Sequence, residues 1–302
     1  MSGTGHWRSQ KERGAAWAIA FLLWTAKHLG RRVARFVTFF PVVWFFLTGS
    51  RARAAVRDYL GRVRPSKPAR LIDVWRQFWC FGLCALDRIF LLAEHSGYQI
   101  RENGADMVVN TVQNGGALLM AAHFGSFEAM RVQGSRHADL PIAILMDRAV
   151  GPMLTAALER LAPKLARNVI DASDGGPQLV LKLKEALAEG KLVGIMVDRA
   201  RVGEATVAVE FLGAPAHFPT SPWQLAMALK CPVILGFSVY RGAGIYDTHF
   251  ELFSSALDVP RGARAAALEA SVQTYAHRLA HWVRQAPDNW FNFYPFWAAP
   301  KS

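Results

Sequence analysis

The chain has 302 residues, 52% of them hydrophobic and 19% charged, which is too apolar for a disordered chain and long enough for one large domain or a domain with an appendage. Its net charge of +12 sits at one end: residues 1–70 hold 14 Lys/Arg and two acids, while the remaining 232 hold 21 of each sign. That distribution excludes a globally basic nucleic-acid coat, and no nucleic-acid partner is expected.

The basic end is also the most apolar and aromatic part of the chain. Ala15–Ala26 reads AAWAIAFLLWTA and Phe36–Leu47 reads FVTFFPVVWFFL, with Lys27, Arg31 and Arg32 between them and Arg51, Arg53, Arg57, Arg62 and Arg64 after them. A spanning helix needs about 20 apolar residues, and each of these runs is about twelve. Two readings fit. One is a segment that contacts the membrane surface, re-enters it or spans it briefly, with arginines and Trp17, Trp24 and Trp44 at the headgroup level. The other is a helical hairpin buried on the domain. The arginine flanks favour the first and a cytoplasmic-side orientation. The Arg-Arg pair after the first run does not resemble a signal-peptide cleavage site. The expected division is a helical membrane-associating segment over 1–64, a short Pro-containing linker, and a catalytic domain over 71–302.

Leu71–His95 reads as a helix; within it Cys80 and Cys84 lie one turn apart in an apolar run and, with Cys231, read as reduced core thiols. Gly115-Gly116 precedes ALLMAA, a buried strand that ends at His123. Ile142–Met146 is a second strand, Met153–Arg160 and Gln178–Ala188 are helices, and Leu192–Val197 is a third strand that ends at Asp198. Ser221–Lys230 reads as helix, Pro232–Tyr240 and His249–Phe253 as strands, and Ala263–Gln285 as a long helix. Strands alternating with helices predict an α/β fold with a mixed, largely parallel sheet flanked by helices. Ligands of such sheets bind beyond the carboxyl ends of the strands, so His123 and Asp198 are the first candidates for chemistry.

The stretch His123-Phe124-Gly125-Ser126-Phe127-Glu128 carries the most information. Gly125 permits a tight turn, Ser126 suits a helix N-cap, and Glu128 falls in the first helical turn. If Glu128 folds back on the imidazole, it fixes the tautomer and makes His123 a general base. Free amides near Gly125–Phe127 would face an oxyanion. Other chemistries lack their signatures. There is no G-x-S-x-G elbow, no G-x-G-x-x-G after the first strand, and no H-E-x-x-H or Cys/His zinc spacing around His123, so neither a metal nor a dinucleotide cofactor is expected.

The same six residues resemble the H-x4-D/E motif of the bacterial lipid A late acyltransferases, within the wider lysophospholipid acyltransferase-like superfamily. Further segments are similar to that family in order: Met146-Asp147-Arg148 with Pro152-Met153-Leu154 and Arg160; LVGIMVDR over 192–199; Val209–Gly213 with Pro215–Pro222; Cys231-Pro232-Val233; and Asn289-Trp290-Phe291. The departures are Ala122 in place of an asparagine common before the His in the wider superfamily, Ser126 and Phe127 in place of Asn and Trp, Asp147 in place of an aromatic residue, and Ser221 in place of glycine. The Gly30-Arg31-Arg32 and Asp58-Tyr59-Leu60 elements look more like the aryl polyene or other specialised envelope-lipid branch.

The resemblance implies an O-acyltransferase that moves a fatty acyl chain from an acyl carrier protein or coenzyme A thioester to a hydroxyl of a membrane lipid, at the cytoplasmic face of the bacterial inner membrane. It implies His123 as base with Glu128, Arg160 as an oxyanion donor, Asp198 orienting an arginine or the acceptor, Gly125 and Ser126 at the substrate, and Arg148 and Arg199 on phosphate groups. The carrier thioester is a co-substrate, and no cofactor is implied. A thioesterase of the same fold and a non-catalytic membrane-associated partner-binding subunit are the alternatives.

Overall fold

The computed structural model describes residues 16–93, 97–138, 140–147, 158–201 and 203–298, with side chains from residue 30 onward except at 133–138. Helix α1 (Ala16–Thr48) is broken at Gly30, whose φ of 76° lies in the left-handed region that glycine enters without strain. α2 (Ser50–Val63) follows, then α3 (Leu71–Leu92). The α/β body runs β1 (Gln99–Asn103), α4 (Ala105–Gln113), β2 (Ala117–Ala121), α5 (Phe127–Ala138), β3 (Ile142–Met146), α6 (Pro163–Arg167), β4 (Val169–Asp171), α7 (Gly176–Ala188) and β5 (Leu192–Met196). It continues through β6 (Thr206–Phe211), β7 (Ala214–Pro219), α8 (Ser221–Leu229), β8 (Val233–Gly242), β9 (Ile245–Ser254) and α9 (Arg264–Gln285).

Seven strands form one sheet in the order β1-β9-β8-β2-β5-β3-β4, and β6 and β7 form a separate antiparallel hairpin. Every pair in the large sheet is parallel except β8 with β9. The mixed, largely parallel sheet expected from the alternation of strands and helices is therefore present. β2 is buried along its whole length and β5 nearly so, as continuous apolar runs covered on both faces require.

One feature of this sheet positions the site. β2 and β5 are parallel neighbours in register, with Ala121 opposite Met196, and the Val197 N–H donates to the Ala121 carbonyl at 2.9 Å. His123 and Asp198 each lie two residues beyond that registered pair. Sheet order and register alone bring the two strand-terminal titratable residues to the same level.

α1 has one buried face and one exposed apolar face. Ala34, Thr38 and Val42 are buried, and Val42 packs so closely on α3 that a Cβ at Gly82 would lie 2.4 Å from it. The opposite stripe, with Phe36 (67% exposed), Phe40, Trp44 (50%) and Leu47, faces outward. α2 buries Ala52, Val56, Tyr59 and Leu60 in the same core as the sheet. Among the described residues no single helix is long and apolar enough to cross a membrane; Gly30–Thr48 and Ser50–Val63 pass that test only as a pair bent by 87°.

Candidate active site

β2 ends at Ala121, and the chain turns through Ala122–Gly125 before α5 begins at Phe127. Gly125 has φ 61°, and a Cβ there would lie 1.6 Å from the Ser238 carbonyl oxygen, so no other residue fits this turn. Ser126 caps α5: its Oγ accepts from the Ala129 N–H at 3.3 Å. The C-terminal segment then clamps the turn. Phe124 bridges Trp290, the Gly125 N–H donates to the Asn289 carbonyl at 2.9 Å, and the Phe291 N–H donates to the His123 carbonyl at 2.9 Å.

The imidazole of His123 finds its carboxylate across the sheet rather than along the helix. Nδ1 lies 2.7 Å from Asp198 Oδ1. The other oxygen of Asp198 accepts from the Trp290 indole N–H at 3.1 Å, and Arg199 Nε stands 3.9 Å away. Asp198 is fully buried. Burial alone would raise its carboxyl, but the imidazole, Arg199 and the indole N–H outweigh that and hold it well below the usual carboxylate range. An ionised Asp198 accepts only, so Nδ1 carries the proton and Nε2 is the basic nitrogen. Burial, and then the charge of Arg199, depress the imidazole below its ordinary value of 6.5 despite the carboxylate, so the ring is neutral at pH 7.

The expectation that Glu128 holds the imidazole is corrected by this geometry. Glu128 lies in the first turn of α5, but its Oε1 pairs with Arg88 Nε of α3 at 3.1 Å, and its buried Oε2 has no hydrogen-bond partner among the described residues. Position explains the difference. The side chain of Glu128 lies on the face of α5 that packs on α3, whereas Asp198 lies two residues beyond β5, the parallel neighbour of the strand that leads to His123. Asp198, read from sequence as orienting an arginine or the acceptor, orients the imidazole.

His123, with 37% of its side chain exposed, borders a cleft of about 860 Å³. Leu145, Met146, Leu158, Leu179 and Leu225 supply much of its apolar wall, and Arg88, Arg199 and Arg201 its cations. Such a volume with a few convergent polar groups suits a long apolar ligand with one reactive end. Arg199 is tied to the protein: its Nη2 donates to the Phe291 carbonyl and its guanidinium lies 5.6 Å from the Tyr294 ring centroid. Arg201 stands 3.8 Å from Asp147.

The remaining predicted site residues are dispersed. Arg160 is exposed and does not border the cleft. Arg148 lies outside the described residues. The Gly125 amide donates to the Asn289 carbonyl, and Ser126 Oγ accepts from the Ala129 N–H. Two residues of the site escaped sequence reasoning. Trp290 enters the sequence reading only through the Asn289-Trp290-Phe291 resemblance, with no signal that its indole N–H meets Asp198. Arg88 has no local signal, because Leu86-Asp87-Arg88-Ile89-Phe90 reads as an ordinary helix with a solvated charge.

A sequence profile of the family described as bacterial lipid A biosynthesis acyltransferase matches residues 4–299 of this chain. No curated protein matches it.

Proposed function

Because the chain belongs to the bacterial lipid A biosynthesis acyltransferase family, and is thus an acyltransferase with a thioester donor and a lipid acceptor, we propose that His123 is the general base of that transfer. The observation that carries this reading is an imidazole held through Nδ1 at 2.7 Å from the buried Asp198 that opens into a largely apolar cleft large enough for a fatty chain. Nε2 takes the proton of an acceptor hydroxyl as its oxygen attacks the thioester carbonyl. The new C–O bond forms, the C–S bond breaks, and the thiolate recovers the proton from the imidazolium. Asp198 keeps its hydrogen bond to Nδ1–H throughout and stabilises the cation that forms in between.

The donor is an acyl carrier protein or coenzyme A thioester, and the acceptor a hydroxyl of a lipid A-like or other envelope lipid. The outward stripe of Phe36, Phe40, Trp44 and Leu47, close in sequence to exposed Arg32, Arg51 and Arg57, supports docking of this face on an anionic bilayer at the cytoplasmic side of the inner membrane. Each basic residue near such a surface contributes about 1 kcal/mol.

Lipid mass spectrometry of cells that express the wild-type chain or His123→Ala tests the reading. We expect an acylated lipid that depends on the wild-type protein and vanishes in the variant while the fold is retained. Undiminished acylation by His123→Ala, or release of free fatty acid in place of acylated lipid, overturns it.

A further inference from the structure

The Arg88–Glu128 pair lies on the wall of the cleft, yet the proton transfer above does not use it. Arg88 sits in the last turns of α3 with 40% of its side chain exposed; Glu128 sits at the start of α5 with 7% exposed. The contact joins Arg88 Nε to Glu128 Oε1, and among the described residues neither Nη group of Arg88 has a partner. A guanidinium held through Nε presents its two terminal NH2 groups as a fork, and that fork matches two oxygens of one phosphate.

The other arginines of the cleft differ. Arg199 is occupied by the Phe291 carbonyl and the Tyr294 ring, and Arg201 has Asp147 against one arm. Among the described residues Arg88, Arg199 and Arg201 share the cleft with the acids Glu128, Asp147 and Glu204, three of each sign. Anion selectivity there comes from where free donors point: Arg199 Nε is buried without a hydrogen-bond partner and Arg201 has only an ion pair at 3.8 Å, but among the described residues Arg88 is the one of the three with both Nη groups unpaired.

We propose that Arg88 binds a phosphate ester of a substrate at the mouth of the cleft, and that Glu128 is the positioning residue that holds the guanidinium for it. The proposal rests on the reading of this cleft as the acyl-transfer site. It gives the glutamate of the H-x4-E motif a task separate from the imidazole. Two sources supply the same chemistry: the phosphates carried by the thioester donor and the headgroup phosphate of a lipid acceptor.

The test uses the full chain in detergent micelles and two probes, coenzyme A and dioleoyl phosphatidic acid, each titrated separately. One of them should bind saturably, and Arg88→Ala should weaken that probe at least tenfold, the usual scale for losing hydrogen bonds to a charged group. Arg88→Lys keeps the charge but not the fork and should weaken it severalfold; it carries the test if Arg88→Ala fails to fold. Glu128→Gln should weaken the same probe, and the double variant should bind no worse than Arg88→Ala alone. In turnover assays Arg88→Ala should raise KM for the phosphate-bearing substrate at least tenfold with little change in kcat.

The probe that responds identifies the source. Wild-type affinity for both probes in Arg88→Ala, saturable binding of neither by the wild-type chain, or an equal loss from Glu128→Gln with and without Arg88 overturns the proposal. Acyl transfer is scored separately by lipid mass spectrometry. Intact transfer with undisturbed phosphate binding sinks the anion site alone, and absent transfer sinks the base assignment alone.

Discussion

Among the described residues two aspartates, Asp87 and Asp198, are fully buried, and they do different things with the same physics. Asp87 of α3 receives Arg31 Nε and Nη2 at 3.2 and 3.1 Å, and the hydroxyls of Tyr98 and Tyr246 at 2.9 Å each. Asp198 receives His123 Nδ1–H and the Trp290 indole N–H. Each is a desolvated carboxylate repaid by charge and by N–H or O–H donors. The difference lies in where the donors lead. Those of Asp87 come from α1, from α3's neighbour Tyr98 and from β9, and they close on themselves; the guanidinium of Arg31 covers the Tyr98 ring at 4.4 Å and ties the helix break at Gly30 to the sheet. Asp198 orients through its hydrogen bond a ring whose far side opens into the cleft. A buried, well-partnered acid is therefore not by itself a mark of function. The chemistry resides where one partner of that acid remains accessible.

The sharpest way to break this comparison is Asp198→Asn. An amide at that position can donate to Nδ1 and favour the tautomer with its proton on Nε2, which disables the base. By the scale of a wrong-tautomer variant, kcat should fall about 10³–10⁴-fold with the fold retained. The pH profile supplies an independent sign. The carboxylate raises the imidazole pKa, whereas burial and the arginines lower it. Activity requires the neutral ring, so it rises with pH through that pKa, on a limb below 6.5 in the wild type. Removing the carboxylate lowers the pKa further, and the limb of the residual activity should move to lower pH. A limb that moves upward, or a kcat within tenfold of wild type, would place the working carboxylate elsewhere.

Asp87→Ala should do the reverse. It leaves Arg31 largely buried without its counter-charge and two tyrosine hydroxyls without an acceptor, a loss of about 3–5 kcal/mol. Against a total stability of about 5–15 kcal/mol, denaturant midpoints should drop steeply. Per folded molecule, kcat and the position of the pH limb should stay as in wild type. A selective loss of kcat at unchanged stability would show that the two carboxylates are not separable in this way.

The sequence displays the ends of this comparison more readily than its connections. Strands β2 and β5 were legible as apolar runs, and both end in a titratable residue, so His123 and Asp198 were marked. Their partnership was not legible, because it depends on β5 lying beside β2, and sheet order is a property of long-range packing. Proximity along the chain pointed to Glu128 instead, and only the packing of α5 on α3 turns that carboxylate toward Arg88. β1 was missed for a local reason: QIREN is polar and alternates between exposed and half-buried positions at the sheet edge. β4 has three residues, too few for any period to show. β9 was read as five residues and spans ten, since its outer half carries Asp247 and Thr248 beside the tight Gly242–Gly244 turn. α1 offered two readings because one of its faces is core and the other is not.

The finest test compares matched donors on the two carboxylates. Trp290→Phe removes the indole N–H from Asp198 and keeps a ring in the cluster; Tyr246→Phe removes a hydroxyl from Asp87 and keeps nearly all its volume. Each deletes one neutral donor to an ionised acceptor, worth about 1.5–3 kcal/mol. At Asp87 that loss should appear wholly as stability, because its remaining donors have nothing to deliver. At Asp198 part of it should appear as turnover: with Oδ2 unpaired, the carboxylate is free to rotate and the imidazole samples more orientations, so kcat should fall about tenfold. The charge left on Asp198 is less shared and still raises the imidazole pKa, so the acid limb should stay in place or move slightly upward, opposite to Asp198→Asn. Stopped-assay pH profiles alongside thermal melts of both variants decide the matter. Equal partitioning between stability and kcat in the two variants would mean that Trp290 is only a packing residue.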